Sequence, residues 1–172
     1  SPALEAQEIS SSAVNFKQTT SGGEFVNCMI ELEYTFSDKR LQKKMSALYG
    51  GVTLAISKNN DLYWYIKIVT SESNRILPIY SSGLSTPKQT FKARQIPCDD
   101  QRQFCGGIAG LNDVLKIYKA LYNDQLVLWF NHESGGFDER FPISFLRSFK
   151  SKGERHHGCV TSVLEQAMSK YN

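Results

Sequence analysis

The chain has 172 residues, 41% of them hydrophobic and 22% charged, with a formal net charge of +3. That is long enough for one domain with its own core, too weakly basic for a nucleic-acid binder, and without the run of about eighteen apolar residues that a membrane-spanning helix needs. It starts Ser1-Pro2-Ala3, with no Met, as a cleaved leader or a cloning remnant would leave it.

Residues 1–22 are polar, with "SSS" and "TTSGG", and read as a flexible N-terminal arm carrying at most one edge strand near Val14–Phe16. In "EFVNCMIELEYTF" the residues Val26, Cys28, Ile30, Leu32, Tyr34 and Phe36 share one parity, and Asn27, Glu31, Glu33 and Thr35 share the other. This alternation predicts a half-buried strand with Cys28 pointing inward. Ser37 then reads as the cap of a short helix, with Leu41, Met45 and Leu48 as its buried stripe, Gly50-Gly51 as its stop, and Lys39, Arg40, Lys43 and Lys44 on its outer side. "GVTLAIS" and "LYWYIKIVT", joined by the turn "KNND", predict a hairpin. Its second strand puts Leu62, Trp64, Ile66 and Ile68 on one face and Tyr63, Tyr65 and Lys67 on the other.

"ILPIYSSGL" and "QTFKARQIP" read as strands around a loop, with Pro78 and Pro97 marking strand ends. Asn112 is a candidate N-cap for a helix whose Val114, Ile117, Tyr118 and Leu121 recur at helical spacing. "QLVLWFN" and "FDERFPIS" predict a second hairpin around "HESGG". A last helix runs from Val160 to Tyr171, with Cys159 at its start. These elements predict a mainly β fold, sandwich-like or α+β, with about three peripheral helices in a single domain over 23–172.

The four cysteines, Cys28, Cys98, Cys105 and Cys159, lack the close-spaced clusters of a zinc site and the C-x-x-C of a redox centre. An even, scattered set reads as disulfides in an oxidising compartment, periplasmic or secreted, with a buried reduced set and a metal site as the alternatives. The favoured pairing is Cys98–Cys105, closing the polar loop "CDDQRQFC", with Cys28–Cys159 tying the front of the domain to its end. In the chain-entropy account the long link contributes roughly 5 kcal/mol and the short one about 2.5 kcal/mol.

No nucleophile elbow, Walker loop, H-E-x-x-H or dinucleotide fingerprint is present, so no catalytic residue and no cofactor is assigned. His132 stands beside Glu133 and Ser134 in a turn, where adjacent groups do not converge on a substrate. "ERHHGC" sets His156 and His157 near Cys159 and Glu154; this is the lesser candidate for a metal, set against an exposed loop. For binding, the candidates are the basic stretch Lys39, Arg40, Lys43 and Lys44, facing an acidic partner or a membrane surface, and the tyrosine face of Tyr63 and Tyr65. A covering helix or arm, or else a protein partner, must meet that face.

Over residues 76–149 the order of features is "ILP", a glycine-containing loop, Cys98, Cys105, a helix, "QLVLWF", a turn and "FPISFLRSF". It resembles the second half of the invasion-associated locus B family of exported bacterial proteins. Phe141-Pro142-Ile143-Ser144-Phe145-Leu146 and Phe149 follow that family's closing motif, while Ser148 replaces its glycine, the two cysteines stand further apart than expected, and the last helix has no counterpart there. The resemblance implies a non-enzymatic exported protein of the envelope or of host interaction, and it transfers no catalytic residue. Together these readings give an exported binding protein. The alternative is a secreted hydrolase or metal enzyme using His132 or the His156/His157 region.

Overall fold

The computed structural model describes residues 7–41, 43–55, 62–70, 78–132, 138–143 and 150–169. Two antiparallel sheets carry the fold. The larger has six strands in the order β1-β2-β3-β4-β7-β6: β1 Gln7–Ser21, β2 Glu24–Asp38, β3 Lys43–Ala55, β4 Leu62–Thr70, β6 Arg94–Ile96 and β7 Phe104–Ala109. The smaller has three, β5 Ile79–Ser85, β8 Leu126–His132 and β9 Asp138–Ile143, in the order β5-β8-β9. Two α-helices are present among the described residues, α1 Leu111–Tyr122 and α2 Lys150–Ser169.

The period-two signal in β2 sets the layers. Cys28, Ile30, Leu32, Tyr34 and Phe36 are buried, and the same face of β4 buries Leu62, Trp64, Ile66 and Ile68. At one end this inner face meets the small sheet. Phe36 lies edge-on to Phe141 and Phe130, with ring centres 5.0 and 6.5 Å apart, and the Tyr34 hydroxyl donates to the Pro142 carbonyl. At the other end α2 closes it with Cys159, Val160, Val163 and Ala167. Cys28 and Cys159 are bonded, with Cα atoms 5.8 Å apart, so β2 and α2 are crosslinked through the core. Close packing is sharpest at Gly107, where an added Cβ would overlap the Trp64 ring.

Three expectations are corrected. The predicted loose arm is the strand β1, paired with β2 from Gln7↔Asp38 to Ser21↔Glu24 across a two-residue turn. Gly22 and Gly23 both have positive φ, 59° and 82°, as that tight turn demands. The predicted helix after Ser37 is a short 3-10 turn at Lys39–Leu41 followed by β3. Leu48, Val52 and Leu54 stand opposite Tyr34, Ile30 and Cys28. The spacing 41, 45, 48 suits a helix, but pairing on both sides, with β2 and β4, outweighs local propensity. Two helices therefore replace the expected three, and the sandwich-like β class stands. Finally, α2 starts at Lys150 rather than after Cys159, so "ERHHGC" is helical, not an exposed loop. His156, Cys159, Val160, Val163 and Ala167 are its buried positions, and this spacing follows the helical repeat.

The first helix begins at Gly110 with no side-chain cap, so Asn112 does not cap it. Its Val114, Ile117, Tyr118 and Leu121 are buried as the periodicity predicts. The turns "KNND" and "HESGG" and the segment 144–149 lie largely outside the described residues.

Candidate functional site

The tyrosine face follows directly from strand parity. In β4, Trp64, Ile66 and Ile68 turn inward, so Tyr63, Tyr65 and Lys67 turn outward. Register then decides what joins them. Tyr65 and Tyr63 stand across β3 from Gly51 and Thr53, which stand across from Glu31 and Met29 of β2; Met29 stands opposite Lys17 of β1. On the other side, Tyr65 and Lys67 stand opposite Gly106 and Phe104 of β7. The ring of Tyr65 lies on that of Phe104, stacked at 5.7 Å with 20° between the planes.

The outcome is a shallow groove of about 520 Å³, open to solvent, lined by Lys17, Thr19, Asn27, Met29, Glu31, Tyr63 and Tyr65. Phe104 lies beside it, 44% exposed. Lys17 Nζ and Glu31 Oε2 form an ion pair at 2.9 Å across its floor. The hydrogen bond to Glu31 holds the Lys17 ammonium on the charged side of its titration. The Tyr65 phenol is pushed up, first by burial and then by the Glu31 charge. Such a surface has aromatic area for packing and a fixed pair of opposite charges. Among the described residues, α2 packs on the inner face of β2 and α1 packs against β8, and β1 extends the sheet edgewise instead of covering it. Phe104 and Met29 escape a reading of the sequence alone, because only the β4–β7 pairing and the β2–β3–β4 pairings bring them beside the tyrosines.

The basic stretch does not lie on an α-helix. Without the helix, Lys39 and Arg40 sit in the 3-10 turn and Lys43 and Lys44 open β3. Arg40 turns back onto buried Asp38, with Nη2 2.6 Å from Oδ2, Nε 3.0 Å from Oδ1, and its own backbone N–H 2.8 Å from Oδ1. Glu139 of β9 completes a buried acid pair with Asp38. Burial, with the neighbouring Asp38, pushes the Glu139 carboxyl up to about 9. Burial would raise Asp38 too, but hydrogen bonds from Arg40 and Glu139 outweigh it and bring Asp38 down to about 2. The two shifts are opposite, so Glu139 keeps its proton to higher pH than Asp38 beside it. Paired carboxyls with separated pKa values suit acid–base work, yet both are closed off from solvent and serve to join the two sheets. The sign of the pH effect follows. Glu139 binds its proton more tightly folded than unfolded, so its contribution is complete below its ordinary 4.5 and is lost as pH rises towards 9. Thermal melts should show Tm falling by at least about 5 °C between pH 5 and 9, and Glu139→Gln should flatten that slope. An equal slope in the variant would contradict the assignment.

His156 is buried among Phe16, Tyr118 and Tyr122, its Nδ1 3.2 Å from the Tyr122 hydroxyl. Burial, with the adjacent His157, drives its pKa down to about 4, so it packs as a neutral ring at pH 7. His157 lies on the exposed side of the helix, edge-on to Tyr122 at 5.0 Å. Neighbours on a helix point about 100° apart, and Cys159 is spent in the disulfide, so the three do not converge on an ion. Among the described residues no group of three or more His, Cys, Asp or Glu side chains could hold a metal. His132 ends β8, and its side chain, with Glu133 and Ser134, lies outside the described residues.

The stapled loop is tied down at its ends and against β5. Cys98 and Cys105 are bonded with Cα atoms 4.4 Å apart. Asp99 Oδ1 accepts from the backbone of Gln103 and Phe104 at 2.8 and 3.0 Å. Arg102, at φ 53°, donates to the carbonyls of Ile79 and Tyr80 at 2.7 Å each, tying this loop to β5. The loop is a brace between the two sheets.

No family model, no curated protein and no solved structure matches this chain. Among the described residues no helix is long and apolar enough to cross a membrane.

Proposed function

We propose that this chain is an exported, non-enzymatic binding protein whose recognition surface for a protein partner is the outer face of its large sheet. The observation that carries the reading is the stacked Tyr65–Phe104 pair beside Tyr63, Met29 and the Lys17–Glu31 ion pair on the outer face of the large sheet. Aromatic side chains with two rotatable angles give large contact area at low entropic cost, and such residues dominate binding energy at interfaces. Export is supported by the two disulfides, which persist in the periplasm or outside the cell. The resemblance of residues 76–149 to the invasion-associated locus B family points the same way.

A role in the envelope or in contact with a host is the finer form of this proposal. Its test is the double substitution Tyr63→Ala/Tyr65→Ala. Both side chains are half-buried on the outer face, so the fold tolerates their loss. Against a partner recovered with the native protein from the cells that make it, affinity should fall at least about thirtyfold, as two interface aromatics imply. Unchanged affinity would remove this face from the account.

A further inference from the structure

The edge of the large sheet carries a second surface, which meets the outer-face groove at Lys17. One edge strand, β6, is three residues long; the other, β1, is fifteen. Long bare edges are normally blunted by proline, by inward charges or by covering elements, because their backbone groups accept another strand. Gln7–Ser21 contains no proline and only two charges, Glu8 and Lys17. Its pairing with β2 runs without interruption from Ser11 to Thr19, and nearly all its side chains are exposed. We infer that β1 pairs antiparallel with β1 of a second copy of this chain, about a two-fold axis through Ala13.

The occupant and the register come from the strand's own pattern. A bulge at Ser10 reverses the side-chain parity. Ile9 stands opposite Phe36 on the inner face and Ser11 opposite Thr35 on the outer. On the inner face are therefore Gln7, Ile9, Ser12, Val14, Phe16 and Gln18, and on the outer are Glu8, Ser11, Ala13, Asn15 and Lys17. Directly opposed residues of an antiparallel pair share a face. With the two-fold at Ala13, Val14 meets Ser12 of the second copy and Asn15 meets Ser11. Skipping the bulged Ser10, Phe16 meets Ile9, Lys17 meets Glu8 and Gln18 meets Gln7. Every pair shares a face. Ile9, 38% exposed in the single chain, gains an aromatic neighbour. Each Lys17, already held by Glu31 at 2.9 Å, gains a second carboxylate. Moving the axis to Val14 sets Ile9 against Gln18 and Glu8 against Thr19. Moving it to Ser12 sets Glu8 against Asn15. Only the Ala13 axis matches both the charges and the apolar side chains.

Because paired residues keep their faces, the two sheets join with their outer faces on the same side. The dimer then presents two copies of the tyrosine groove side by side, so that a bivalent partner binds with avidity. The dimer itself does not depend on what the groove recognises.

Sedimentation equilibrium on the full chain tests the association, and a single added thiol tests the register. The native protein should dimerise at or below about 100 μM. Glu8→Lys, which sets lysine against Lys17, should weaken the dimer at least about tenfold, and Glu8→Lys/Lys17→Glu should restore it. All native cysteines are in disulfides, so Ala13→Cys introduces one free thiol on the axis. In a glutathione redox buffer it should form a disulfide-linked dimer, while Asn15→Cys, exposed on the same face but off the axis, should not. A native protein that stays monomeric at that concentration would overturn the proposal. So would crosslinking of Asn15→Cys as readily as Ala13→Cys. Neither result touches the binding role of the outer face, which the tyrosine variants test separately.

Discussion

Replacing both Cys28 and Cys159 by Ala lowers the unfolding free energy by about 5 kcal/mol, and Tm by roughly 15 °C, in equilibrium denaturation. The size follows from the 131-residue separation of the bonded pair. Opening it frees almost the whole chain in the unfolded state, whereas opening Cys98–Cys105 frees a loop of separation 7 and costs about 2.5 kcal/mol. The order of the two effects matters more than either value. In the folded state the long link also fastens α2 to the inner face of β2, beside the Gln166 Nε2 hydrogen bond to the Phe25 carbonyl at 3.2 Å. Far-ultraviolet and near-ultraviolet spectra of the double variant should show the sheets retained and α2 loosened. A larger loss from opening the short link would contradict this account of how the domain is closed.

Trp64→Ala should cost about 4 kcal/mol, the upper range for a large buried side chain. Trp64 is 1% exposed at the centre of the inner face and lies against Gly107 of the neighbouring strand. The glycine is there for room. A methyl group at 107 would collide with the indole, so Gly107→Ala should cost about 2 kcal/mol by overpacking. The two effects are coupled. Combined with Trp64→Leu, which vacates the space over position 107, Gly107→Ala should lose most of its cost in a double-mutant cycle. Full additivity would mean that indole and glycine do not share that space. Gly83 stands in the same relation to Trp129, whose ring would lie 2.8 Å from an added Cβ.

Much of the fold is legible in strand parity. The alternation of β2 and β4 marks the inner face residue by residue, and from it follows the outward display of Tyr63 and Tyr65. What escapes is the information carried by pairing. The β1 strand is polar because it lies at an edge with little of its surface buried, so composition alone reads it as a loose arm. The signal that could reveal it is the two-glycine turn Gly22-Gly23 joining it to a strongly alternating strand. In β3, glycines 50 and 51 look like a helix stop, although they stand mid-strand opposite Leu32 and Glu31. Short apolar runs fit both periods, and only the two neighbouring strands decide between them.

The acid pair was legible in part. Glu139, Phe141 and Ile143 share one parity of β9, so a carboxylate on the apolar side demands a partner. Its partner Asp38 lies about a hundred residues earlier, and no local pattern names it. His156 shows the reverse error. Its type suggests chemistry, while its spacing with Cys159, Val160, Val163 and Ala167 places it in the core of α2. Periodicity is the better guide there, because a buried neutral imidazole packs as an aromatic ring.

The domain is closed by oxidised sulfur, in the links Cys28–Cys159 and Cys98–Cys105. Mass spectrometry of the protein, alkylated under denaturing conditions without reductant directly from the cells that make it, tests this most directly. It should find no alkylated cysteine and only the peptide pairs Cys28–Cys159 and Cys98–Cys105. Alkylated Cys28 or Cys159, or a different pairing of the four, would contradict it.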